Sequence, residues 1–538
     1  MVLKIALRAA IVLCAVSCMC LSSATAQAAE HQRGATVIPA DHQDVSKPLR
    51  DIKPIPPDWY GHLDKREKEK PKTFRASRDE SAADSALQTS PGPQVSLTAG
   101  TSFEGVGEPN YSVQYAPPDT NGSVGRTIAG VGYYIQWVNV AFGIFNKATG
   151  TLVYGPANGN TIWSGFGGRC EADNDGDPIV MYDKLADRWV FTQFSVSAQP
   201  YLQCVAVSQT SDPQGAYNRY AFSYGNLFND YPKIGVWPDA YYINYNMFAN
   251  GQTFAGGETC AMDRAAMLNG TAATQQCFIV SSDGGMLPAD LDGTILPAAG
   301  APNFVMSFGT NVLNLYKFHV DWSNAANSTF TGPTVLPVAA FGEACSGGTC
   351  VPQASTKNKL DSLGDRLMYR LAYRKFADGH DALVLNHSVA VSAGGRGKKS
   401  TQTGVRWYEV RNPNGAPSVF QQGTFAPDAS YRWMGSVAMD KAGNLGVGYS
   451  VSSATLRPSI RFTGRGHGDA LGTLGAETNL LTGAGSQTGS LHRWGDYSSL
   501  SVDPDDDCTL WFTTEYLKAS GTFNWSTQIG SFKVNNCQ

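Results

Sequence analysis

Short apolar segments separated by turn-forming residues dominate the chain, and their length and alternation are typical of β-strands. Residues 133–145 form one such segment, and the turn at 146–150 leads from it into residues 151–154, which predicts a β-hairpin. Helical patterns are few, and residues 263–268 are a short helix candidate. Further strands are predicted at residues 315–320, 367–373, 382–385 and 405–410.

Related segments recur along the chain. Residues 230–239 align without a gap with residues 496–505 and share with them Asp, Tyr, an aliphatic residue, Val, Pro and Asp. Residues 177–183 form a third copy, and residues 436–447 form a looser fourth copy. In each copy a strand ends at Asp and a turn follows, because an Asp carboxylate accepts hydrogen bonds from the N–H groups of a turn.

This recurrence predicts an all-β fold, a β-propeller of six to eight four-stranded blades with seven favoured, over residues 99–538. A body of about 440 residues then gives about 40–60 residues to each blade. A propeller protects its sheet edges by arranging the blades around an axis. A β-helix is the alternative, although its repeat would be much shorter.

The hairpins resemble the Asp-box, or BNR, repeats of sialidase-like propellers. Residues 501–511 contain the Ser, Asp, Thr and Trp of that box, although the turn is longer and lacks its Gly. The body is also similar to a family of exported bacterial proteins that share the stretches 118–125, 174–178 and 492–497. The resemblance covers residues 103–538 and implies a propeller, but it implies no particular reaction.

The N-terminus is typical of an exported protein. Residues 1–28 combine a basic start, an apolar run of limited length and a small-residue cleavage site, which predicts a signal peptide. An uncleaved anchor is the alternative, but the run is too short to span a bilayer, and no later membrane span is expected. Residues 29–98 are rich in Pro and charge and predict a disordered spacer or pro-segment. We therefore expect a secreted, periplasmic or extracellular protein.

Cysteine usage also favours export, because an even number of cysteines remains after the leader. Eight cysteines allow 105 connectivities, so pairing of neighbours along the chain is a hypothesis. A zinc site is disfavoured, since the body has no CxxC or CxxH pair. The predicted disulfides are Cys170–Cys204, Cys260–Cys277, Cys345–Cys350 and Cys508–Cys537.

The chain has few charged residues, and this limits the kinds of ligand that it is expected to bind. Only 16% of residues are charged and the net charge is −4, so no basic field exists to hold a phosphate backbone, and nucleic acid is not an expected partner. The low charge and the many aromatic residues also exclude a disordered chain or a coiled coil. We expect a monomer that binds a glycan or another cell-surface ligand.

Candidate site residues lie just before the innermost strand of each blade, because these positions converge on the propeller axis. The alignment of the repeats places several Asp and Arg side chains there, together with tryptophans. The predicted catalytic residues are Asp230, Asp496 and Asp177. The predicted substrate-binding residues are Asp119, Arg366 beside Asp365, Arg432, Arg493, Trp433 and Trp494.

These residue types suit a polysaccharide site. Carboxylates accept hydrogen bonds from sugar hydroxyls, aromatic rings stack on sugar faces, and Arg binds the carboxylate of an acidic sugar. Paired carboxylates serve a glycoside hydrolase, and Tyr with Arg and His serves a lyase that abstracts a proton. The structural alternative is that each Asp holds its own turn and that each Arg–Asp pair braces neighbouring blades.

A calcium site is also a candidate, because Asp173, Asp175 and Asp177 alternate as in the first half of a calcium loop. The closing Glu of such a loop is absent, since Lys184 occupies its position, and an Asn/Asp turn is the alternative. No other cofactor is expected. The chain lacks the motifs of a serine hydrolase and of nucleotide-binding loops.

Two hypotheses of function follow. The first is an exported propeller that acts on an extracellular or cell-wall polysaccharide, as a glycoside hydrolase or a polysaccharide lyase. The second is a non-catalytic propeller that binds a glycan or a protein, which the absence of a sharp catalytic motif favours.

Overall fold

The computed structural model describes residues 30–56, 63–64, 83–92, 97–113, 115–391 and 402–538. The predicted signal peptide and most of the charged run at 64–70 lie outside the described residues. Within the described part of the chain, no helix is long and apolar enough to cross a membrane.

The described residues are almost entirely β-strands joined by turns. The two α-helices are α1 (Gly168–Ala172) and α2 (Arg264–Asn269), and short 3₁₀ turns lie at Leu49–Asp51, Gly159–Trp163, Ala325–Asn327 and Ala344–Gly347. The strands are β1 (Glu30–Arg33), β2 (Thr36–Pro39), β3 (His42–Val45), β4 (Leu63–Asp64), β5 (Leu87–Gln88), β6 (Leu97–Glu104), β7 (Tyr115–Ala116), β8 (Asn121–Val124), β9 (Tyr133–Val138), β10 (Ala141–Asn146), β11 (Leu152–Asn158), β12 (Ile179–Asp183), β13 (Arg188–Ser195), β14 (Tyr201–Ser208), β15 (Tyr217–Gly225), β16 (Leu227–Val236), β17 (Tyr241–Ala249), β18 (Thr253–Met262), β19 (Thr274–Val280), β20 (Leu287–Asp292), β21 (Asn303–Gly309), β22 (Val312–His319), β23 (Thr329–Pro337), β24 (Gly342–Glu343), β25 (Thr349–Val351), β26 (Leu360–Asp361), β27 (Met368–Lys375), β28 (Asp381–Ala390), β29 (Thr403–Arg411), β30 (Ser418–Phe425), β31 (Tyr431–Met439), β32 (Leu445–Ser452), β33 (Ser459–Arg465), β34 (Thr478–Leu481), β35 (Ser499–Val502), β36 (Leu510–Leu517) and β37 (Trp525–Val534).

Consecutive strands pair antiparallel into four-stranded meanders, each of which begins at an almost wholly buried strand. The last meander takes its fourth strand from β6, which joins the end of the chain to a segment near its start. In chain order the meanders are β8–β11, β12–β15, β16–β19, β20–β23, β27–β30, β31–β34 and β35–β37 with β6.

The first strands of the meanders form a closed ring. Each contacts the first strand of the next meander, and β35 contacts β8, so the ring returns to its start. Strands β20 and β27 pair in parallel, so these two neighbouring first strands run in the same direction. This arrangement is the predicted β-propeller, with the beginnings of the first strands at one end of its axis.

Aromatic and aliphatic side chains fill the space between neighbouring meanders. Between the first and second meanders, Trp137 packs against Phe191 with ring centres 5.1 Å apart, and Phe142 contacts the same ring. Burial of such rings contributes about 1.5–3 kcal/mol each. Packing between meanders therefore holds the ring together.

An N-terminal belt, residues 30–52, crosses the outer edges of the propeller. Strands β1, β2 and β3 pair antiparallel with the outermost strands β23, β19 and β15 of three successive meanders. The belt covers edge strands that would otherwise present unpaired backbone groups to solvent. The predicted spacer at 29–98 includes this belt, so the prediction of disorder is wrong for residues 30–52. The polar composition of this segment gives no strand pattern, because its strands are stabilised by pairing with the outermost strands of the propeller.

Local predictions from the sequence are largely confirmed. All four predicted disulfides are present. The helix candidate at 263–268 is α2, whose first turn is capped by the Asp263 carboxylate, which accepts a hydrogen bond of 2.9 Å from Ala266 N. The single strand predicted at 133–145 is wrong, because a turn with Val140 at a φ of 66° divides it into β9 and β10. No Gly or Pro marks that turn in the sequence.

Candidate functional site

A left-handed backbone conformation recurs shortly before three of the first strands and, in β16, at an irregularity within the strand. Asp119, Asp177, Tyr231 and Asp496 have φ values of 48°, 47°, 55° and 59°. This conformation costs L-residues about 1–2 kcal/mol each, so its repetition in four meanders indicates that the surrounding structure enforces it. The four residues come from the first, second, third and last meanders and lie at the same end of the axis.

Lys233 lies at the centre of this end and is fully buried. Its ammonium is 3.4 Å from the centre of the Tyr231 ring and 3.9 Å from the centre of the Tyr497 ring. The ammonium also donates a hydrogen bond of 2.9 Å to the carbonyl of Pro232. Two aromatic faces thus stabilise the cation where water is excluded.

Carboxylates from several meanders surround this lysine. Burial lowers the pKa of Lys233 to about 8, while Asp177, Asp119, Asp496 and Asp230 raise it and so limit the shift. Each of these carboxylates lies close enough to Lys233 to act on its charge, so the structure brings together four of the predicted site residues.

Two buried arginines complete the site. Arg366 forms an ion pair with Asp365, with an Nε–Oδ1 distance of 2.8 Å, and its guanidinium lies 4.7 Å from the Tyr231 ring centre. Burial lowers the pKa of Arg366 to about 9. Arg493 is ion-paired with Asp496, and although burial opposes its charge, this pair raises its pKa above the ordinary value.

We call the buried lysine, the two arginines, and the carboxylates and tyrosines around them the axial cluster. Its carboxylates outnumber its cations six to three, because Asp361 also acts on Arg493. Six of the nine residues predicted as catalytic or substrate-binding belong to it. The axial cluster consists of Asp119, Asp177, Asp230, Tyr231, Lys233, Asp361, Asp365, Arg366, Arg493, Asp496 and Tyr497.

Three predicted binding residues lie elsewhere. Arg432 is buried within β31 and is ion-paired with Asp428 at 2.9 Å and Glu477 at 2.8 Å, away from the axial cluster. Trp433 and Trp494 are fully buried and pack on one another with ring centres 5.9 Å apart. They belong to the hydrophobic core and present no stacking face to a ligand, which corrects the predicted aromatic platforms.

The three alternating Asp residues of the calcium candidate have separate partners. Asp173 accepts hydrogen bonds from Arg169 Nε at 3.0 Å and Ser195 Oγ at 2.6 Å. Asp175 accepts bonds from Ser197 N and Oγ at 2.8 and 2.6 Å. Asp177 belongs to the axial cluster. The hydrogen bonds therefore match the Asn/Asp turn better than a shared metal site, and calcium stays a prediction.

Sequence reasoning missed five residues of this region, one of which is Asp361 in β26. Tyr231 and Tyr497 follow Asp230 and Asp496 in the aligned repeats, so the shared Asp-Tyr pair was a usable signal. Lys233 gave no signal, since a lysine in a strand is ordinarily exposed. Glu515, which lies in β36 and accepts a hydrogen bond of 2.9 Å from Gly495 N, was equally unmarked.

A second polar network, also missed, closes the axis beyond the axial cluster. Arg370 is ion-paired with Asp290 at 2.8 Å and with Asp292, and Lys184 contacts Asp292 at 2.7 Å. The free space beside these side chains is about 20 Å³, room for about one water molecule. The axis is therefore closed to a ligand on this side of the axial cluster.

Comparisons with known proteins give distant likenesses. No protein-family model matches the chain, and no curated protein matches it in sequence. An α-L-arabinofuranosidase of Fusarium graminearum is 10% identical over 81% of this chain and 99% of that chain, with a TM-score of 0.35. A PL25 ulvan lyase is 12% identical over 83% and 97%, with a TM-score of 0.34. At such scores neither fold nor function is argued from these likenesses, and the sialidase-like resemblance stays a prediction.

Proposed function

We propose that the axial cluster binds and cleaves a polysaccharide, so that this chain is a glycoside hydrolase built on a β-propeller. The observation that carries the proposal is the convergence of four carboxylates from separate segments around one buried lysine, with two further carboxylates beside the neighbouring arginines. Carboxylates accept hydrogen bonds from sugar hydroxyls, and paired carboxylates supply the proton donor and the nucleophile or base of glycoside cleavage.

The excess of carboxylates favours a hydrolase over a lyase. A polysaccharide lyase binds a uronic acid at the reacting position, and its site must neutralise that negative charge. In the axial cluster the three cations are already outnumbered, so a uronate there would meet net repulsion. A neutral sugar meets no such penalty and gains hydroxyl–carboxylate hydrogen bonds.

Glu515 and Asp496 form the proposed acid and base pair. Burial raises the pKa of Glu515 well above its ordinary value, and Asp496 adds to the shift, which suits the role of proton donor. Asp496 is ion-paired with Arg493 and takes the role of base. Asp177 and Asp230, predicted from the sequence as catalytic, then hold the sugar.

The chain supplies a matched control for testing Asp496. Asp496 precedes β35 and Asp503 follows it, and both are 6% exposed. Asp503 is bound to Lys147 at 2.8 Å and to Trp511 Nε1 at 2.9 Å, away from the axial cluster. Asp496→Asn should lower turnover by about 100-fold or more. Asp503→Asn should leave turnover unchanged and only lower stability.

The assay uses a panel of neutral and acidic polysaccharides with purified protein. New reducing ends without an unsaturated product support the hydrolase. An unsaturated, ultraviolet-absorbing product would instead assign a lyase. Equal loss of turnover in the two variants would overturn the role of Asp496.

Non-catalytic binding is the second candidate, and one observation favours it. The Asp365–Arg366 and Arg493–Asp496 pairs are buried ion pairs, as braces within a ring would be. Glycan binding without any product, together with a stability loss in Asp496→Asn matching that in Asp503→Asn, would select this function.

Export completes the proposal. Four disulfides are typical of a protein that folds in an oxidising compartment. We place the protein outside the cytoplasm, acting as a monomer on an extracellular or cell-wall glycan. The signal peptide at 1–28 remains a prediction from the sequence.

A further inference from the structure

A pocket of about 670 Å³ opens beside the axial cluster, in the loop 352–359 between β25 and β26. Its volume falls within the roughly 300–1,000 Å³ of ordinary ligand sites. The side chains around it are polar or small, and they include two lysines and no carboxylate. The residues that line it are Pro352, Gln353, Ser355, Thr356, Lys357, Asn358, Lys359 and Ala454.

Hydrogen bonds to a neighbouring loop hold the pocket in shape. Gln353 Nε2 donates to the carbonyl of Gln487 at 3.0 Å, and Gln353 Oε1 accepts a bond of 2.7 Å from Gln487 N. Asn358 Nδ2 donates to the carbonyl of Leu491 at 2.7 Å. The Cys345–Cys350 disulfide lies at the base of the same loop. The pocket is thus organised before any ligand binds, which reduces the entropy cost of binding.

The pocket and the axial cluster share a wall. His492 Nδ1 lies 2.9 Å from the carbonyl oxygen of Lys359, and Asp361 N donates to the carbonyl of His492 at 2.8 Å. Asp361 and Arg493, the next residue after His492, both belong to the axial cluster. The pocket and the axial cluster therefore adjoin through the backbone of residues 359–361 and 492–493.

The charge changes sign across that wall. Carboxylates are in excess in the axial cluster, whereas the pocket exposes the ammonium groups of Lys357 and Lys359. Ammonium groups bind carboxylate and sulfate groups by charge-assisted hydrogen bonds. Hydroxyl and amide groups of Thr356 and Asn358 add polar partners.

We propose that the 352–359 pocket is a subsite for an anionic group, a carboxylate or a sulfate, on the polysaccharide that the axial cluster binds. That the ligand is a polysaccharide rests on the proposed function. That the bound group is an anion is inferred from the side chains of the pocket itself. The substrate then carries a neutral sugar at the axial cluster and an acidic group on an adjoining sugar.

The test measures binding of the full protein to three soluble polymers: polygalacturonate, which carries carboxylates, carrageenan, which carries sulfates, and an uncharged galactan. Lys357→Gln with Lys359→Gln should weaken binding of one or both anionic polymers about tenfold and leave galactan binding unchanged. The control variant is Lys375→Gln with Lys441→Gln, which removes the same charge at the last residue of β27 and two residues after the end of β31.

The anionic polymer that loses affinity identifies the group that is bound. If the wild type and the Lys357/Lys359 variant bind each polymer with the same affinity and have the same melting temperature, the proposed subsite is overturned. Lysine-dependent binding without cleavage of any polymer would overturn the hydrolase and leave the subsite standing, so the two failures are distinguishable. A similar loss in the control variant would show a nonspecific charge effect and would also overturn it.

Discussion

The ammonium of Lys233 lies 3.9 Å from the centre of the Tyr497 ring, although the two residues belong to different meanders, the third and the last. Tyr231 contacts the other side of the same ammonium at 3.4 Å. A lysine is ordinarily solvated at the surface, and here the closure of the ring places it between two aromatic faces. The protein should therefore respond to pH at this residue.

Lys233 should make the protein more stable as pH rises from 8 to 10. Burial lowers the pKa of Lys233 in the folded state to about 8, below the ordinary value of 10.5, so over this range the unfolded chain binds more protons. The wild type should gain about 2 kcal/mol of unfolding free energy relative to Lys233→Met. Urea unfolding at pH 8, 9 and 10 measures the difference. A constant difference between the two proteins would contradict the prediction, and Lys441→Met serves as the exposed control.

Glu258 should have the opposite effect at lower pH. Burial raises its folded-state pKa to about 7 from an ordinary 4.5, so its contribution to stability is present below pH 4.5 and is lost as pH rises through 7. Between pH 4.5 and 8 the wild type should lose about 3 kcal/mol relative to Glu258→Gln. Denaturant midpoints across that range test this. The exposed Glu104→Gln should follow the wild type, and a Glu258→Gln curve parallel to the wild type would disprove it.

Removal of residues 1–46 should destabilise the propeller and promote aggregation. The truncation strips β1, β2 and β3 from three outer edges and removes Asp44, whose carboxylate binds the buried Arg219 at 2.6 Å. Breaking such a pair and exposing edge strands both disfavour the monomer. Thermal unfolding and light scattering measure the effects, with removal of residues 1–29 as the control. Equal melting temperatures for the two truncations would show that the belt is dispensable.

The longer disulfide loops should stabilise the protein more than the short one. Cys508 and Cys537 are 29 residues apart, whereas Cys345 and Cys350 are five apart. Loop-closure entropy assigns about 3.5 kcal/mol to the first bridge and about 2 kcal/mol to the second. Replacing each pair by serines and comparing free energies of unfolding checks the order. A larger loss for the Cys345/Cys350 variant would contradict the entropic account.

Local chemistry explains what could be read from the sequence. The strand pattern, the capped helix at α2 and the four disulfides depend on residues close in the chain, so neighbouring positions carry the signal. The aligned repeats located six residues of the axial cluster, because the start of a strand is visible in the same way. Val140 shows the limit, since a non-glycine residue forms that turn without a marker.

The sequence by itself determined a β-rich exported body with local disulfides and Asp residues at strand starts, because alternation, turn residues and cysteine spacing are short-range properties. Only the tertiary structure decided which charges meet. In the folded protein Lys233 is buried between two tyrosines, and Arg432 is ion-paired with Glu477 instead of joining the axial cluster. Trp433 packs on Trp494 in the core. The tertiary structure also fastened the polar N-terminal belt to three edges. These outcomes depend on contacts between distant segments, which form only when the ring closes and burial selects the partners.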